Sequence, residues 1–161
     1  MAMRNAVMFA AAAALAGCVA VSNREVRTPA ARDLSPQQIV AARQASFHLS
    51  AAAMGNMKAA IDSGGDVSRQ AYAARGIARW ARVLPTMFPD RTHGVTPTRA
   101  RPEIFASRAD FDAKAAAFAE AADRLAAAAQ AGDPEAFAAA HRATAATCAA
   151  CHELYQAPAQ R

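Results

Sequence analysis

Near the C-terminus stand two thiols and an imidazole in the stretch Cys148-Ala149-Ala150-Cys151-His152. On a helix, residues at i, i+3 and i+4 share one face, so both sulfurs and the ring project to the same side. Covalent haem attachment needs that arrangement, because the sulfurs reach two vinyl groups while the histidine reaches iron. Two other chemistries use thiols at this spacing. A redox dithiol sits at a helix start beside a βαβ pattern, which this chain lacks, and a tetrahedral zinc site wants a further pair of ligands.

The third cysteine, Cys18, belongs to a different context. Arg4 precedes a short apolar run over residues 6–16, too short to span a bilayer, which reads as an export signal. Leu15-Ala16-Gly17-Cys18 has the form of a bacterial lipobox, in which the cysteine becomes the first mature residue and carries lipid. The alternative is ordinary small-residue cleavage after Ala20. Acyl chains on Cys18 would hold the protein on a membrane, each buried methylene adding about 0.8 kcal/mol. Export places Cys148 and Cys151 in an oxidising compartment, where an idle pair would normally be oxidised, so the two thiols need an occupation.

The elements that must position the motif follow from caps and periodicity. Residues 22–33 are a polar tether without apolar repeat. Ser35, Pro36 and Gln38 form a capping box with proline in the first turn, opening a helix that runs to about Asp62 before Gly64-Gly65. Asp66 or Ser68 caps a second, short helix that carries Tyr72, Ile77, Trp80 and Leu84 and ends near Pro85. Pro85, Pro89, Gly94, Pro97 and Pro102 then rule out a long regular helix and make residues 85–108 the one long connection. A third helix over 110–131 has Phe111, Phe118 and Leu125 at intervals of seven, the inward stripe of a bundle helix. Gly132 ends it, Asp133 caps the fourth helix and Pro134 takes its first turn, so the last two helices form a tight antiparallel hairpin. The fourth helix reaches about Ala157, before Pro158.

Composition agrees with an all-α fold. Of 161 residues 54% are hydrophobic, largely alanine, while aromatics are 6% and β-branched runs are absent. The expected architecture is one antiparallel four-helix bundle, whose close alanine packing leaves room only where something large must fit. The formal charge of +5 is spread over single arginines with no block of like charge, so no nucleic-acid footprint is present.

With these residues placed, the chain resembles the class II c-type cytochromes, in particular cytochrome c′. The likeness runs from "IVAARQASFHLSAAAMGNMKAAI" through "LPTMFPD" and "RPEIFASRADFDAKAAAFAEAADRL" to "AGDPEAF" and the terminal "CAACHELY". The haem motif near the C-terminus is its most specific part. With the signal and tether read above, the chain divides into a lipoprotein-type signal at 1–17, a lipidated cysteine with flexible tether at 18–34, and a domain at 35–158 that the resemblance makes a four-helix-bundle cytochrome. It implies one haem c bound through Cys148 and Cys151, with His152 as the proximal iron ligand. The matching Arg43-Gln44 pair implies that Arg43 lies near a haem propionate, which suits a bidentate guanidinium.

The resemblance also sets the question of the other iron face. Three residues after Gln44, the family carries either a bulky apolar side chain, leaving iron five-coordinate, or a methionine that supplies a sixth ligand. Here the residue is Phe47, which has no lone pair to give, so NO and CO are expected to bind at an open but crowded distal site. His48, one step round the helix, and Met54, about two turns along the same stripe, are the residues that would make iron six-coordinate instead. His93 and His141 read as ordinary solvated side chains. Cytochromes c′ usually carry an arginine four residues after the proximal histidine, and here that residue is Gln156, which brings no positive charge; a lysine common in relatives is replaced by Ala149.

Nothing in the sequence supplies an acid, a base and a substrate pocket for turnover, so the expectation is a binding protein and not an enzyme. The leading reading is a periplasmic, membrane-anchored protein that binds or detoxifies NO; the alternative is a low-spin electron carrier. Arg75, Arg79 and Arg82 share one side of the second helix, where they could steer an acidic redox partner that the sequence does not identify. Alanine-rich faces of the first two helices are compatible with a homodimer.

Overall fold

The computed structural model describes residues 34–159, so the segments expected to be an export signal, a Cys18 lipid site and a tether through residue 33 lie outside the described residues. Ser35 opens the first helix as its chemistry requires. Its Oγ accepts from Gln38 N at 3.2 Å, and Gln38 Oε1 accepts from Ser35 N at 2.7 Å. Helix α1 then runs Pro36–Asp62 and stops where Gly64 turns left-handed at φ 63.

Asp66 accepts from both the backbone N and the hydroxyl of Ser68. A 3-10 turn at Val67–Gln70 leads from there into α2, Ala71–Val83. The proline-rich connection is more ordered than a bare loop. It holds 3-10 turns at Leu84–Met87 and Asp90–Thr92 and one short helix, α3, Glu103–Ala106. Pro85 sits in the first of these turns, and Pro89 and Pro102 stand just before the next two elements, where the donor that proline lacks is not needed.

Helix α4 spans Arg108–Ala131 and α5 spans Pro134–Tyr155. Gly132 between them is left-handed at φ 68, and Asp133 Oδ1 accepts from Glu135 N and Ala136 N. Arg108 staples the connection to α4: its guanidinium donates to the carbonyls of Pro85 and Phe88 and pairs with Asp112. Helix α5 ends at Tyr155, two residues short of the expected 157, because Gln156 leaves it to pair antiparallel with Ala100. Arg101 N donates to Tyr155 O and Ala157 N to Arg99 O, so the end of the connection straps the end of α5.

The four long helices form an antiparallel bundle with an uneven core. Phe111, Phe118 and Leu125 of α4 are buried, as their spacing predicts, with Ala115, Ala121, Ala122 and Ala129 beside them. That face packs densely on α2 and α5. Alanine lets backbones approach closely, and the seam has no room for anything else. Helix α1 buries only Ile39, Val40, Arg43 and Met57 and meets α2 and α5 sparingly. Among the described residues no helix is long and apolar enough to cross a membrane.

Candidate functional site

Where α1 stands away from its neighbours, the bundle encloses a cavity of about 670 Å³, well within the range of pockets that take small molecules. Its walls are mostly apolar, with Phe47, Met54, Ile77, Trp80, Phe88 and Phe118 among them. Cys148, Cys151 and His152 line the same cavity from α5, as the helical spacing requires. Both cysteines are free thiols, half-buried, and burial raises their pKa; Cys148 adds to the effect at Cys151. At Cys151 burial outweighs the opposing pull of Lys114, so the pair is not the activated thiolate of a reactive redox dithiol. Among the described residues no three His, Cys, Asp or Glu side chains gather as metal ligands, so the fourfold set of a structural zinc site is not assembled.

Phe47 reaches the cavity from α1. Its ring meets Trp80 edge to face at 5.4 Å between centroids and lies 6.5 Å from Phe88. His48 and Met54 also line the cavity, His48 exposed at its edge and Met54 half-buried. Arg43 lines it too, at 2% exposure. Its guanidinium donates to Met87 O, Thr92 Oγ1 and Thr98 Oγ1, each at 3.2 Å, and stands 4.3 Å over the Phe88 ring. All these partners are neutral, and burial pulls the guanidinium below its ordinary pKa. A buried cation held only by neutral oxygens favours an anionic group in the adjoining space.

Charge reaches the α5 end of the cavity from other elements than the sequence pattern suggested. Gln156 does line the cavity, but so does Arg99, whose Nε donates to Ala157 O at 2.7 Å. Partial burial and the Arg99 charge both hold the His152 ring below its usual pKa. Lys114 lines the cavity from α4, 3.9 Å from Asp110. Asp110 Oδ2 accepts from the Tyr155 hydroxyl at 2.6 Å, and that bond, with burial, pushes Tyr155 up to about 12. Arg99 and Lys114 were not visible as site residues in sequence, because each reaches the cavity from another element by chain crossings that no local spacing encodes; Tyr155, seven residues after Cys148 on α5, could have been found from the helical period.

Two surface expectations change. His141 is not solvated: it is 9% exposed and its Nε2 lies 3.0 Å from Met54 O. It sits four residues after Phe137 on the inward stripe, so the helical period places it inside. Arg82 is not a free member of an arginine stripe, because it pairs with Asp123 of α4, while Arg75 and Arg79 remain exposed. His93 is exposed as expected, stacked 4.7 Å from Phe105.

These residues fit a haem. Two protonated, accessible thiols and an imidazole share one wall, the facing walls are aromatic and apolar, and a buried guanidinium waits at the side for a carboxylate. Trp80 Nε1 is also buried without a hydrogen-bond partner among the described residues. An orphaned donor beside a cavity is explained when the cavity's occupant brings an acceptor.

Comparison with known proteins points the same way. Residues 38–156 match the family model described as Cytochrome C'. The chain is 33% identical over 131 residues to a cytochrome c' of Allochromatium vinosum, covering 79% of this chain and 85% of that protein. It superposes at TM-score 0.73 and 32% identity on a cytochrome c' described as having an unusual ligand-controlled dimer dissociation, over 78% of this chain and 98% of the other. A nitric oxide complex of a variant cytochrome c prime from Alcaligenes xylosoxidans superposes at TM-score 0.70 and 29% identity, over 77% and 98% of the two chains.

Proposed function

The chain belongs to the cytochrome c′ family, and on that premise we propose that it is an exported haem protein that binds NO and CO without converting them. One haem c, covalently bound, is the cofactor of the family. When bound, that group supplies an iron able to take a diatomic gas. Cys148 and Cys151 would hold it through thioethers, His152 would ligate the iron, and Arg43 would take a propionate. The observation that carries the reading is that Phe47 lines the same cavity as Cys148, Cys151 and His152 while offering no lone pair.

Phe47 then acts as the gate. Its ring is held by Trp80 and Phe88, so moving it aside sacrifices aromatic contacts of about 0.5–1.5 kcal/mol each. Gas binding is therefore slow and selective for ligands that need no hydrogen-bond donor. The nitric oxide complex of the Alcaligenes xylosoxidans relative supports NO as a ligand here. Leu49 and Tyr72, 72% and 81% exposed on α1 and α2, favour a homodimer through these two helices, and the relative with ligand-controlled dimer dissociation supports that assembly. Export to the periplasm with a lipid anchor at Cys18 completes the proposal; mass spectrometry of the mature N-terminus tests it, and an unmodified chain starting at Val21 would end it.

A second reading, electron transfer through a six-coordinate iron, is kept because His48 and Met54 also line the cavity. The absorption spectrum of the dithionite-reduced protein, before and after CO, separates the two. A broad high-spin spectrum that sharpens with CO is expected. Split low-spin bands indifferent to CO would transfer the assignment to electron transport, with His48 the first ligand to replace.

A further inference from the structure

The inward stripe of α5 reads Phe137, His141, Thr144, Cys148, Cys151 and Tyr155. His141 is the polar misfit on it, and its hydrogen-bond partner is on another helix: Nε2 lies 3.0 Å from the carbonyl oxygen of Met54 in α1. A carbonyl only accepts, so the ring carries its proton on Nε2 and donates. The Met54 oxygen has two lone pairs, and one already serves the i+4 bond of its own helix. The ring takes the other without breaking the ladder.

The register of this bond relates it to the cavity. Phe47 is seven residues before Met54 on α1, and Cys148 is seven residues after His141 on α5. The two helices run antiparallel, so both intervals lead in the same direction, each about 10 Å along the axis. The bond therefore crosses the bundle two turns below the level at which Phe47 and Cys148 face each other. On the other side of Phe47, α1 is held to the long connection by Arg43 and by Gln44, whose Nε2 donates to Pro97 O at 2.9 Å. Helix α1 as a whole packs sparingly on α2 and α5, and between these two attachments the ring of Phe47 meets Trp80 of α2. With so few neighbours on α5, the hydrogen bonds at these two attachments help set the spacing of the gate helix from the haem-bearing helix.

We propose that His141 is a positioning residue for gas binding: by tying α1 to α5 at Met54 O, it sets the width of the cavity between Phe47 and Cys148. The proposal rests on the gas-binding reading above. Loss of the tie lets α1 give way, and Phe47 then resists an entering gas less.

The test uses the full-length holoprotein with His141→Phe, which keeps a ring and removes the donor, and His141→Gln, which keeps an amide N–H at nearly the same reach. Covalent haem content, thermal stability and CO association after flash photolysis are read together. The phenylalanine variant should retain haem and bind CO several-fold faster, and the glutamine variant should return to the parental rate. A purely structural histidine would lower the melting temperature and leave the CO rate alone, and parental CO kinetics in the phenylalanine variant at full haem content overturn the proposal. Should phenylalanine prevent folding, His141→Asn carries the test, because its amide is one methylene too short; the same acceleration is expected, and a parental rate again overturns it. If the parental protein itself ignores CO, the gas-binding reading fails first and takes this inference with it.

Discussion

The two sides of the bundle solve different problems. Against α4, alanine seams and three large apolar residues pack closely, and α4 meets both α2 and α5 extensively, although Phe111 and Phe118 also wall the cavity. Against α1 the contact is sparse, a cavity of about 670 Å³ opens, and polar ties at Arg43, Gln44 and Met54 do what interdigitation does elsewhere. The same alanine-rich composition serves both. Small side chains close a seam when helices can approach, and they leave a void when a few aromatics and an external attachment hold a helix away. Stability is therefore concentrated on one side and function on the other.

The largest effect expected from breaking this division is on the cavity side. Replacing Cys148 and Cys151 together by serine should abolish covalent haem, read as complete extraction of colour into acidified organic solvent, while far-ultraviolet circular dichroism retains a helical α2–α4–α5 body. Haem retention by the double variant would contradict the assignment of the thiols. On the packed side, Leu125→Ala empties a fully buried site and should cost about 2–5 kcal/mol in denaturant unfolding without altering the CO spectrum. A changed spectrum would mean that the two sides are not separable.

A smaller effect lies where the sides meet. Tyr155 of α5 donates to Asp110 of α4 and has its pKa pushed up to about 12. A raised folded-state pKa favours the protonated phenol, so its contribution is fully present below the ordinary tyrosine value of about 10 and fades as pH rises from there toward 12. Tyr155→Phe should cost about 1–3 kcal/mol at neutral pH and should lose less further stability than the parent between pH 10 and 12. Thermal melts across that range check both parts. Smallest of all is Ser35→Ala, which removes one arm of the capping box on α1 at about 1 kcal/mol. If α1 is the loosely held helix, hydrogen exchange in its first turns should accelerate while α4 stays protected.

Much of this was legible locally. Ser35, Pro36 and Gln38 announced the first helix, Gly132, Asp133 and Pro134 the last hairpin, and the interval of seven between Phe111, Phe118 and Leu125 the core face. Each is a short-range signal: a cap, a stiff ring, a helical period. The thiols and His152 were legible for the same reason, because i, i+3 and i+4 share a face on any helix. His141, expected to be solvated, is buried, and the same period marks it, four residues after Phe137 and seven before Cys148. Arg82 was assigned to a free surface because its partner Asp123 lies on another helix.

The amino-acid sequence alone determined the helices, their order, the haem-attachment motif and the family resemblance, since these depend on neighbours within a turn or two. Only the tertiary structure decided that Phe47 lines the same cavity as the thiols, that Arg43 is buried without a carboxylate, that Arg99 and Lys114 bring charge to that cavity, and that His141 meets Met54 O of α1. Those are contacts between residues tens of positions apart. They follow from how four helices pack, and packing is settled by all the side chains together, so no local spacing can encode it.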